Sequence, residues 1–286
     1  TTIQLSQLIQ LGRKIDKRQA VFAHDTQLAK LAYEAGRLDI CTELAKTFID
    51  LLYVRQKQQL SRELVDTTRR VAASIETRVR AGKDIPLDYS KARMALANAT
   101  LQNRTLAEYE QVYRKKLASF WAGSAPRFRV PAGRLDHLSE VPEPAVLQDL
   151  LQHHPDLLQG AVLVRQSQAR LQLARADAVP DITVGAGIKH FNESDDTAFV
   201  VGLSIPLPVA NRNQGGRQEA AFNLSQVNQL QRASVFDARN ELNRLHADLK
   251  AACDRARLLQ EETLRASEEI FRAAESAYIE GKIDYL

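Results

Sequence analysis

A long stretch of this chain lacks the residues that break helices. Between Arg13 and Arg80 the sequence has no proline and one glycine, Gly36. Proline removes a helical hydrogen bond and glycine adds backbone freedom, so both residues interrupt helices. Apolar residues in this stretch keep a three-or-four spacing, at Ala45, Phe48, Leu52, Leu60, Leu64, Val71 and Ile75. The spacing predicts one long, nearly continuous helix.

A tight turn is predicted at residues 82–86. Gly82 ends the first helix, Pro86 lies in the first turn of the next helix, and Asp84 is expected to cap that helix. The return helix keeps the same apolar spacing at Ala92, Leu96, Ala99, Leu106, Tyr113, Leu117 and Phe120. Residues 13–121 are therefore predicted to form a long helical hairpin.

Further helices are predicted beyond this hairpin. Residues 122–146 are rich in proline and glycine and are expected to form a crossing segment, with a short strand at "RFRV". Helix is expected again over 147–178 and over 212–280. In the second of these the apolar positions step by three and four without a break, at Leu242, Leu245, Leu249, Ala252, Ala256, Leu259, Thr263, Ala266, Ile270, Ala273 and Ala277. This pattern predicts a coiled-coil seam with many small residues.

Residues 181–209 alternate with a period of two. In the first run, up to His190, the apolar residues occupy even positions, and in the second run, from Thr197, they occupy odd positions. The opposite positions are mostly small or polar. The two runs predict a β-hairpin long enough to span a membrane. Residues 1–12 alternate in the same way and predict a third strand, whose partner would precede Thr1.

Two parts of the chain resemble each other. The segments "RVRAGKDIPLDY" at 78–89 and "SAYIEGKIDYL" at 276–286 share Gly-Lys followed by Ile, Asp and Tyr. Helices that end at these two turns would each approach ~100 Å in length, at about 1.5 Å per residue. We infer an internal duplication that lacks its last return helix, and we expect the sequence to be a fragment of a longer protein. The duplicated protein would have four strands, which are too few to close a barrel. Closure would therefore require an oligomer, and three copies would supply twelve strands.

Composition and spacing exclude several classes of protein. The net charge of +4 comes from 39 basic and 35 acidic residues that are interspersed along the chain, so no nucleic-acid partner is predicted. Ser, His and Asp residues form no positioned constellation, so neither catalysis nor a cofactor is predicted. Cys41 and Cys253 lie in helical segments at different heights, so no disulfide is expected between them.

The whole chain resembles the TolC family of trimeric outer-membrane efflux ducts. The segments "PDITVGAG", "GLSIPLP", "NRNQGG" and "EGKIDYL" are similar to its heavy-metal branch, the CzcC-like components. The resemblance implies a mainly α fold with a small β part, in which long coiled-coil hairpins form a periplasmic tunnel. The strands would belong to a twelve-stranded barrel of a homotrimer in outer-membrane lipid. Residues 122–146 would form the equatorial segment, and 281–286 would begin a second tip.

The resemblance also implies partners and a function. The partners are a periplasmic adaptor protein and an inner-membrane, proton-driven pump of the RND class. The implied location is the outer membrane of a Gram-negative bacterium, with the tunnel extending into the periplasm. The implied function is that of a passive duct, without enzyme activity, which exports heavy-metal cations or other small toxic compounds.

The residues that the resemblance assigns lie near the two tips. Gly82 and Gly281 match the tip glycines, and Asp88 matches a tip carboxylate. Tyr278 matches a tyrosine that helps to hold related ducts closed. This sequence departs from the family at the arginine that pairs with the tip carboxylate, since that position is Ile283 here. Lys83 and Lys282 could take the place of the arginine. The residues implied to dock the adaptor or gate the tunnel are Gly82, Lys83, Asp88, Tyr278, Gly281 and Lys282.

Two other readings of the sequence remain open at this point. His153 and His154 are weak candidates for binding an exported metal, although a histidine pair beside Pro155 is more often a surface feature. No other metal site is predicted. The alternative function is a soluble coiled-coil scaffold with no transport role, which explains the helical seams but not the alternating segments.

Overall fold

A computed structural model describes residues 1–123, 128, 133–193 and 195–279. Over these residues the protein is mainly helical, with a small three-stranded sheet. It divides into two units. The sheet unit comprises residues 1–36 and 142–246, and the hairpin unit comprises residues 37–141 and 247–286. Among the described residues, no helix combines the length and the apolar character needed to cross a membrane.

The helices and strands follow one another in a simple order. They are β1 (Thr2–Ile9), α1 (Lys14–Arg80), α2 (Pro86–Ser119), α3 (Pro144–Gln152), α4 (Pro155–Ala176), β2 (Ile182–Phe191), β3 (Asp196–Ser204), α5 (Gln214–Leu258), a π-turn (Leu259–Thr263) and α6 (Leu264–Ile279). Several bounds differ from the expectations. The helix expected over 147–178 is two helices separated at His153 and His154. The helix expected over 212–280 is interrupted by the π-turn.

The sheet has the strand order β1-β2-β3, with both pairs antiparallel. The pairing of β1 with β2 was not predicted, because alternation shows which residues share a face and not which strand lies alongside. The strands are also shorter than expected. β1 ends at Ile9 rather than near residue 12, and β3 ends at Ser204 rather than at Val209. Pro206 and Pro208 follow β3, and proline has no amide hydrogen to donate to a neighbouring strand.

In the hairpin unit, α1 packs against α2 along a narrow seam. Ala72 and Ile75 of α1 form a buried cluster with Ala92 of α2. Along α2 the seam follows the expected positions, of which Ala92, Ala99, Leu106 and Leu117 are buried. Along α1 in this unit the buried positions are Thr47, Leu51, Leu52, Val54, Gln58, Ser61, Val65, Ala72 and Ile75, of which Leu52 and Ile75 were expected and the others were not.

Leu60 and Leu64 were expected in the α1 seam but are 65% and 49% exposed. A long helix can carry two neighbouring apolar rows with the same spacing, and only contact with α2 selects one of them. The same limit applies to α5, which has no buried residue although its apolar row has the cleanest spacing in the sequence.

The crossing segment is described only in part. Gly123, Phe128 and residues 133–143 form no helix or strand before α3 begins at Pro144. The strand expected at "RFRV" includes Arg127, Arg129 and Val130, which lie outside the described residues. Arg114 of α2 donates a hydrogen bond to the Phe128 carbonyl oxygen at 3.0 Å, so this part of the segment contacts α2.

Candidate functional site

The first candidate site is the tip of the α1–α2 hairpin. α1 ends in a pair of backbone hydrogen bonds, from the amide of Gly82 to the Val79 carbonyl at 3.0 Å and from the amide of Lys83 to the Arg78 carbonyl at 2.9 Å. This pairing is the Schellman arrangement, which requires a left-handed residue after the helix. Gly82 provides it with a φ of +70°. The predicted end of the first helix at Gly82 therefore matches the structure.

Arg78 and Asp84 then close the loop. The guanidinium donates from Nε to Oδ2 at 2.8 Å and from Nη2 to Oδ1 at 3.0 Å. The Asp84 side chain is only 14% exposed. The prediction that Asp84 caps α2 was wrong, because the cap position is Ile85 and no side chain caps the helix there. The carboxylate instead takes the forked guanidinium, which offers it two parallel hydrogen bonds.

The closed loop leaves a small mixed surface at the tip. Lys83 is exposed, and Ile85 and Leu87 are 57% and 58% exposed. Asp88 lies in the first turn of α2, and its Oδ1 is 3.4 Å from the Nζ of Lys91. Beneath this surface, the cluster of Ala72, Ile75 and Ala92 holds the two helices together, with Val71, Val79 and Tyr89 packed around it. The tip thus presents a cation and two apolar side chains above a packed apolar cluster.

The structure brings together only part of the predicted site. Gly82, Lys83 and Asp88 lie on the same loop and first turn. Tyr278 is the next-to-last residue of α6. Gly281 and Lys282 lie outside the described residues, as does the segment 281–286 that was expected to begin a second tip. Arg78 was missed, although an arginine four residues before a turn glycine and an aspartate two residues after it were a readable signal.

The second candidate surface is the sheet, whose two faces differ in chemistry. One face carries rows of apolar residues across the strands: Ile3, Ile188 and Phe199 in one row, and Leu5, Ala186 and Val201 in the next. These side chains are open to the surroundings, and Phe199 and Val201 are 84% and 81% exposed. They line a shallow apolar depression of about 500 Å³.

The other face of the sheet carries mostly small and polar residues. Ser6, Gly185 and Gly202 form one row, and Gln4, Gly187 and Val200 form another. A Cβ atom added to Gly187 would lie 2.5 Å from the Ile3 carbonyl oxygen, so this residue permits a close approach of β1 and β2. The alternation predicted from the sequence thus yields one apolar face and one face of small and polar residues.

A buried ion pair joins the start of α1 to the start of the β-hairpin. The Nζ of Lys14 lies 2.6 Å from Oδ1 of Asp181, and the Lys14 side chain is only 8% exposed. The same carboxylate oxygen accepts a hydrogen bond from the amide of Leu11 at 3.0 Å. In the same unit, the turn before α5 is joined to α4, since Asn213 donates from Nδ2 to the Ala174 carbonyl at 2.8 Å. Neither contact was predicted, because each joins residues that are far apart in sequence.

In the hairpin unit, Glu43 of α1 and Lys116 of α2 form a bridge between the helices, 2.6 Å apart. The hydrogen bond from Lys116, with the attraction of its charge, lowers the pKa of Glu43 below its usual value. The same hydrogen bond raises the pKa of Lys116. Each partner therefore stabilises the charged form of the other.

The two histidines that were weak metal candidates have local contacts. His154 caps α4, since its Nδ1 accepts a hydrogen bond from the Asp156 amide at 3.4 Å. His153 Nδ1 lies 3.0 Å from the Asp149 carbonyl oxygen. Within the described part of the chain, no group of three or more His, Cys, Asp or Glu residues is arranged to hold a metal ion. Cys41 and Cys253 are free thiols.

Comparisons with known proteins give a consistent result. The family model for outer membrane efflux proteins matches residues 1–123 and 146–286. The chain is 29% identical over 286 residues to the cobalt-zinc-cadmium resistance protein CzcC of Cupriavidus metallidurans. The alignment covers 100% of this chain and 68% of CzcC. It is 22% identical over 252 residues to the pyoverdine export outer membrane protein OpmQ of Pseudomonas aeruginosa, covering 85% of this chain and 53% of OpmQ.

Solved structures show the same fold. The outer membrane protein VceC of Vibrio cholerae superposes with a TM-score of 0.79 at 19% identity, over 99% of this chain and 70% of VceC. The chain therefore spans about half to two thirds of the length of the two curated relatives and a similar share of the solved structure.

Proposed function

The chain belongs to the outer membrane efflux protein family, and from this membership we propose that it forms part of the outer-membrane channel of a tripartite efflux pump. In this role it is a passive duct from the periplasm to the exterior and catalyses no reaction. A periplasmic adaptor and an inner-membrane pump of the RND class are the partners that such a channel needs. The pump would supply the energy for export.

The two-faced sheet is the observation that carries the proposal. A strand in a membrane barrel turns apolar side chains toward lipid and small or polar side chains toward the lumen. The apolar rows through Phe199 and Val201 fit the lipid side, and the rows through Gly185 and Gly187 fit the lumen side. Three strands do not close a barrel, so we propose that the full protein assembles as a homotrimer in outer-membrane lipid.

The proposed cargo follows from the relatives. CzcC is named for resistance to cobalt, zinc and cadmium, and OpmQ is named for pyoverdine export. The higher identity to CzcC favours heavy-metal cations, with other small toxic compounds as the second choice. At the hairpin tip, we propose that Gly82, Lys83 and Asp88 dock the adaptor. We propose the same role, or a role in gating, for Tyr278, Gly281 and Lys282.

The soluble scaffold is the weaker reading. It accounts for the coiled-coil rows of α1, α2 and α5. A scaffold has no use for a sheet that leaves Leu5, Phe199 and Val201 more than four-fifths exposed on one face and places glycines on the other, since large exposed apolar patches are costly in water.

Conductance of the full-length protein in planar bilayers tests the proposal, together with the mass of the detergent-solubilised protein. Discrete pores from a trimer are expected, and a monomer or dimer without conductance would contradict the channel.

A matched pair of variants makes this test specific to the sheet. Leu5→Lys places a charge on the apolar face, where it costs roughly 2–4 kcal/mol at the middle of a bilayer, and should abolish assembled pores. Ser6→Lys places the same charge on the opposite face, where we expect pores with altered ion selectivity. Equal effects of the two substitutions would contradict the assignment of the faces.

A further inference from the structure

The π-turn between α5 and α6 changes the phase of the helix. The amide of Leu264 bonds to the carbonyl of Leu259, five residues earlier. A turn closed in this way holds one residue more than an α-turn. Each residue beyond it is therefore rotated by about 100° from the position that it would occupy in an uninterrupted α-helix.

Before the π-turn, the apolar row of α5 is narrow. It consists of Leu242, Leu245, Leu249, Ala252, Ala256 and Leu259. The neighbouring positions, one residue later in each case, are mostly polar: Asn243, His246, Lys250, Cys253, Arg257 and Gln260. A shift of this helix by one residue would therefore replace its apolar row by a mainly polar one.

From the last residue of the π-turn onward, the helix carries two apolar rows that are one residue apart. The first row is Thr263, Ala266, Ile270, Ala273 and Ala277. The second row is Leu264, Ser267, Phe271 and Ala274. The other described positions of this helix are largely charged, as at Arg265, Glu268, Glu269 and Arg272. The doubling of the row begins where the π-turn occurs.

The two rows correspond to two registers of the helix. In an uninterrupted α-helix, the row through Ile270 would continue the row of α5, because the three-four spacing is unbroken across residue 259. With the π-turn present, the row through Phe271 continues it instead. The structure holds the second register. Both rows are accessible, since Ile270 is 69% and Phe271 60% exposed.

We propose that the π-turn is a register switch, which lets α6 rotate by one residue position while α5 keeps its place. Either register continues the apolar row of α5 with another row free of charged side chains, so the exchange places no charge in that row. The inference goes beyond the proposed function, because it concerns a conformational change of the helix whatever compound the channel carries.

Crosslinking within the helix tests the switch directly. In a background with Cys41→Ser and Cys253→Ser, the full-length protein would carry either Leu259→Cys with Leu264→Cys or Leu259→Cys with Thr263→Cys. Residues five apart lie on one face in the π-register, and residues four apart do so in the α-register. The ratio of the two yields with the short thiol reagent dibromobimane therefore reports the register.

The ratio should respond in opposite directions to two neighbouring substitutions. Phe271→Ala weakens the row of the π-register and should shift the ratio toward the four-residue crosslink, whereas Ile270→Ala should shift it toward the five-residue crosslink. We expect each change to be roughly fivefold, which corresponds to a difference of about 1 kcal/mol between the two registers. Glu269→Ala, on the charged side, is the matched control and should leave the ratio unchanged.

Three outcomes would overturn the switch: an unchanged ratio in both variants, shifts in the same direction, or an equal shift in the control. If Phe271→Ala fails to assemble, Phe271→Leu should give a smaller shift of the same sign. Bilayer conductance of the same variants separates this inference from the proposed function. Pores that persist with an unchanging ratio would remove the switch and leave the channel in place.

Discussion

Arg78 and Asp84 face each other across the hairpin tip and are joined by two hydrogen bonds, of 2.8 and 3.0 Å. The pair spans the Gly82 turn, so it ties the last turn of α1 to the residue before the cap of α2. It is partly buried, with the Arg78 and Asp84 side chains 32% and 14% exposed. A forked pair of this kind holds its geometry better than a single ion contact does.

We expect Asp84→Asn to loosen the tip locally. Loss of the charge and of one strong acceptor should cost roughly 1 kcal/mol, which raises the hydrogen exchange rate of the Lys83 amide about fivefold. That amide bonds to the Arg78 carbonyl, so it reports the closed turn. Asp66→Asn is the control, since its pair with Arg69 is exposed on both sides and should not affect this amide. An unchanged exchange rate in Asp84→Asn would show that backbone hydrogen bonds alone hold the tip.

Substitution by alanine should change the stability of the protein in opposite directions at Gly36, within α1, and at Gly82, just after its end. Neither Gly82 nor Gly36 has an atom within 4 Å of an added Cβ, so packing does not decide the outcome. Gly82→Ala forces alanine into the left-handed region and should cost roughly 1–2 kcal/mol. Gly36→Ala lies in the helix interior and should stabilise by roughly 0.5–1 kcal/mol. Chemical denaturation followed by circular dichroism measures both, and changes of equal sign would refute the backbone explanation.

The buried Lys14–Asp181 pair should show a rescue. Asp181→Asn leaves the Lys14 ammonium in a buried position without its counter-charge, so the melting temperature should fall. Adding Lys14→Met removes the charge and keeps the side-chain volume, so the double variant should melt at a higher temperature than Asp181→Asn alone. Arg13→Met is the control for the neighbouring position, where the side chain is 83% exposed. A double variant no more stable than Asp181→Asn would contradict the unpaired-charge explanation.

The Glu43–Lys116 bridge should give a defined dependence on pH. The folded-state pKa of Glu43 is lowered, so its contribution to stability is present above the unfolded value of 4.5 and is lost as the pH falls through the folded value. The pKa of Lys116 is raised, so its contribution is present below 10.5 and is lost as the pH rises through the folded value. The melting temperature of Glu43→Gln should therefore lie below that of the wild type at neutral pH and converge with it in acid.

Glu241→Gln is the comparison for this pH test, because Glu241 pairs with Arg244 of its own helix and its pKa is also lowered. The loss of stability in Glu241→Gln should also be largest at neutral pH and disappear in acid. It should not affect the contact between α1 and α2. Hydrogen exchange in α2 separates the two variants. A difference in melting temperature that persists unchanged into strong acid would contradict a role for the Glu43 charge.

Two glycines on the same face of the sheet should tolerate alanine differently. At Gly187 an added Cβ would meet the Ile3 carbonyl oxygen at 2.5 Å and the Gln4 Cα at 3.0 Å, both backbone atoms that cannot move aside. Gly187→Ala should destabilise the β1–β2 pairing by roughly 1–3 kcal/mol. At Gly202 the nearest atom is the Gln4 Nε2 at 3.9 Å, so Gly202→Ala should be tolerated. Thermal unfolding of the reconstituted protein compares them, and equal stability would contradict the observed register.

The hairpin tip was only partly predictable from the sequence. Gly82 identifies the end of α1, because few other residues adopt a positive φ at low cost. The role of Asp84 was misassigned, because capping chemistry and ion-pair chemistry draw on the same carboxylate. The choice depended on the presence of Arg78 across the loop, which becomes visible only when the turn is folded.

What the sequence alone determined about this protein is its local structure: the long helices, the turn at Gly82 and the two faces of the strands. Helix and strand periods are properties of neighbouring residues, so they can be read without a fold. The tertiary structure decided which faces meet. It selected Leu51 rather than Leu60 for the α1 seam and placed β1 beside β2. It also joined Lys14 to Asp181, because the energy of a contact depends on a partner that spacing along the chain does not reveal.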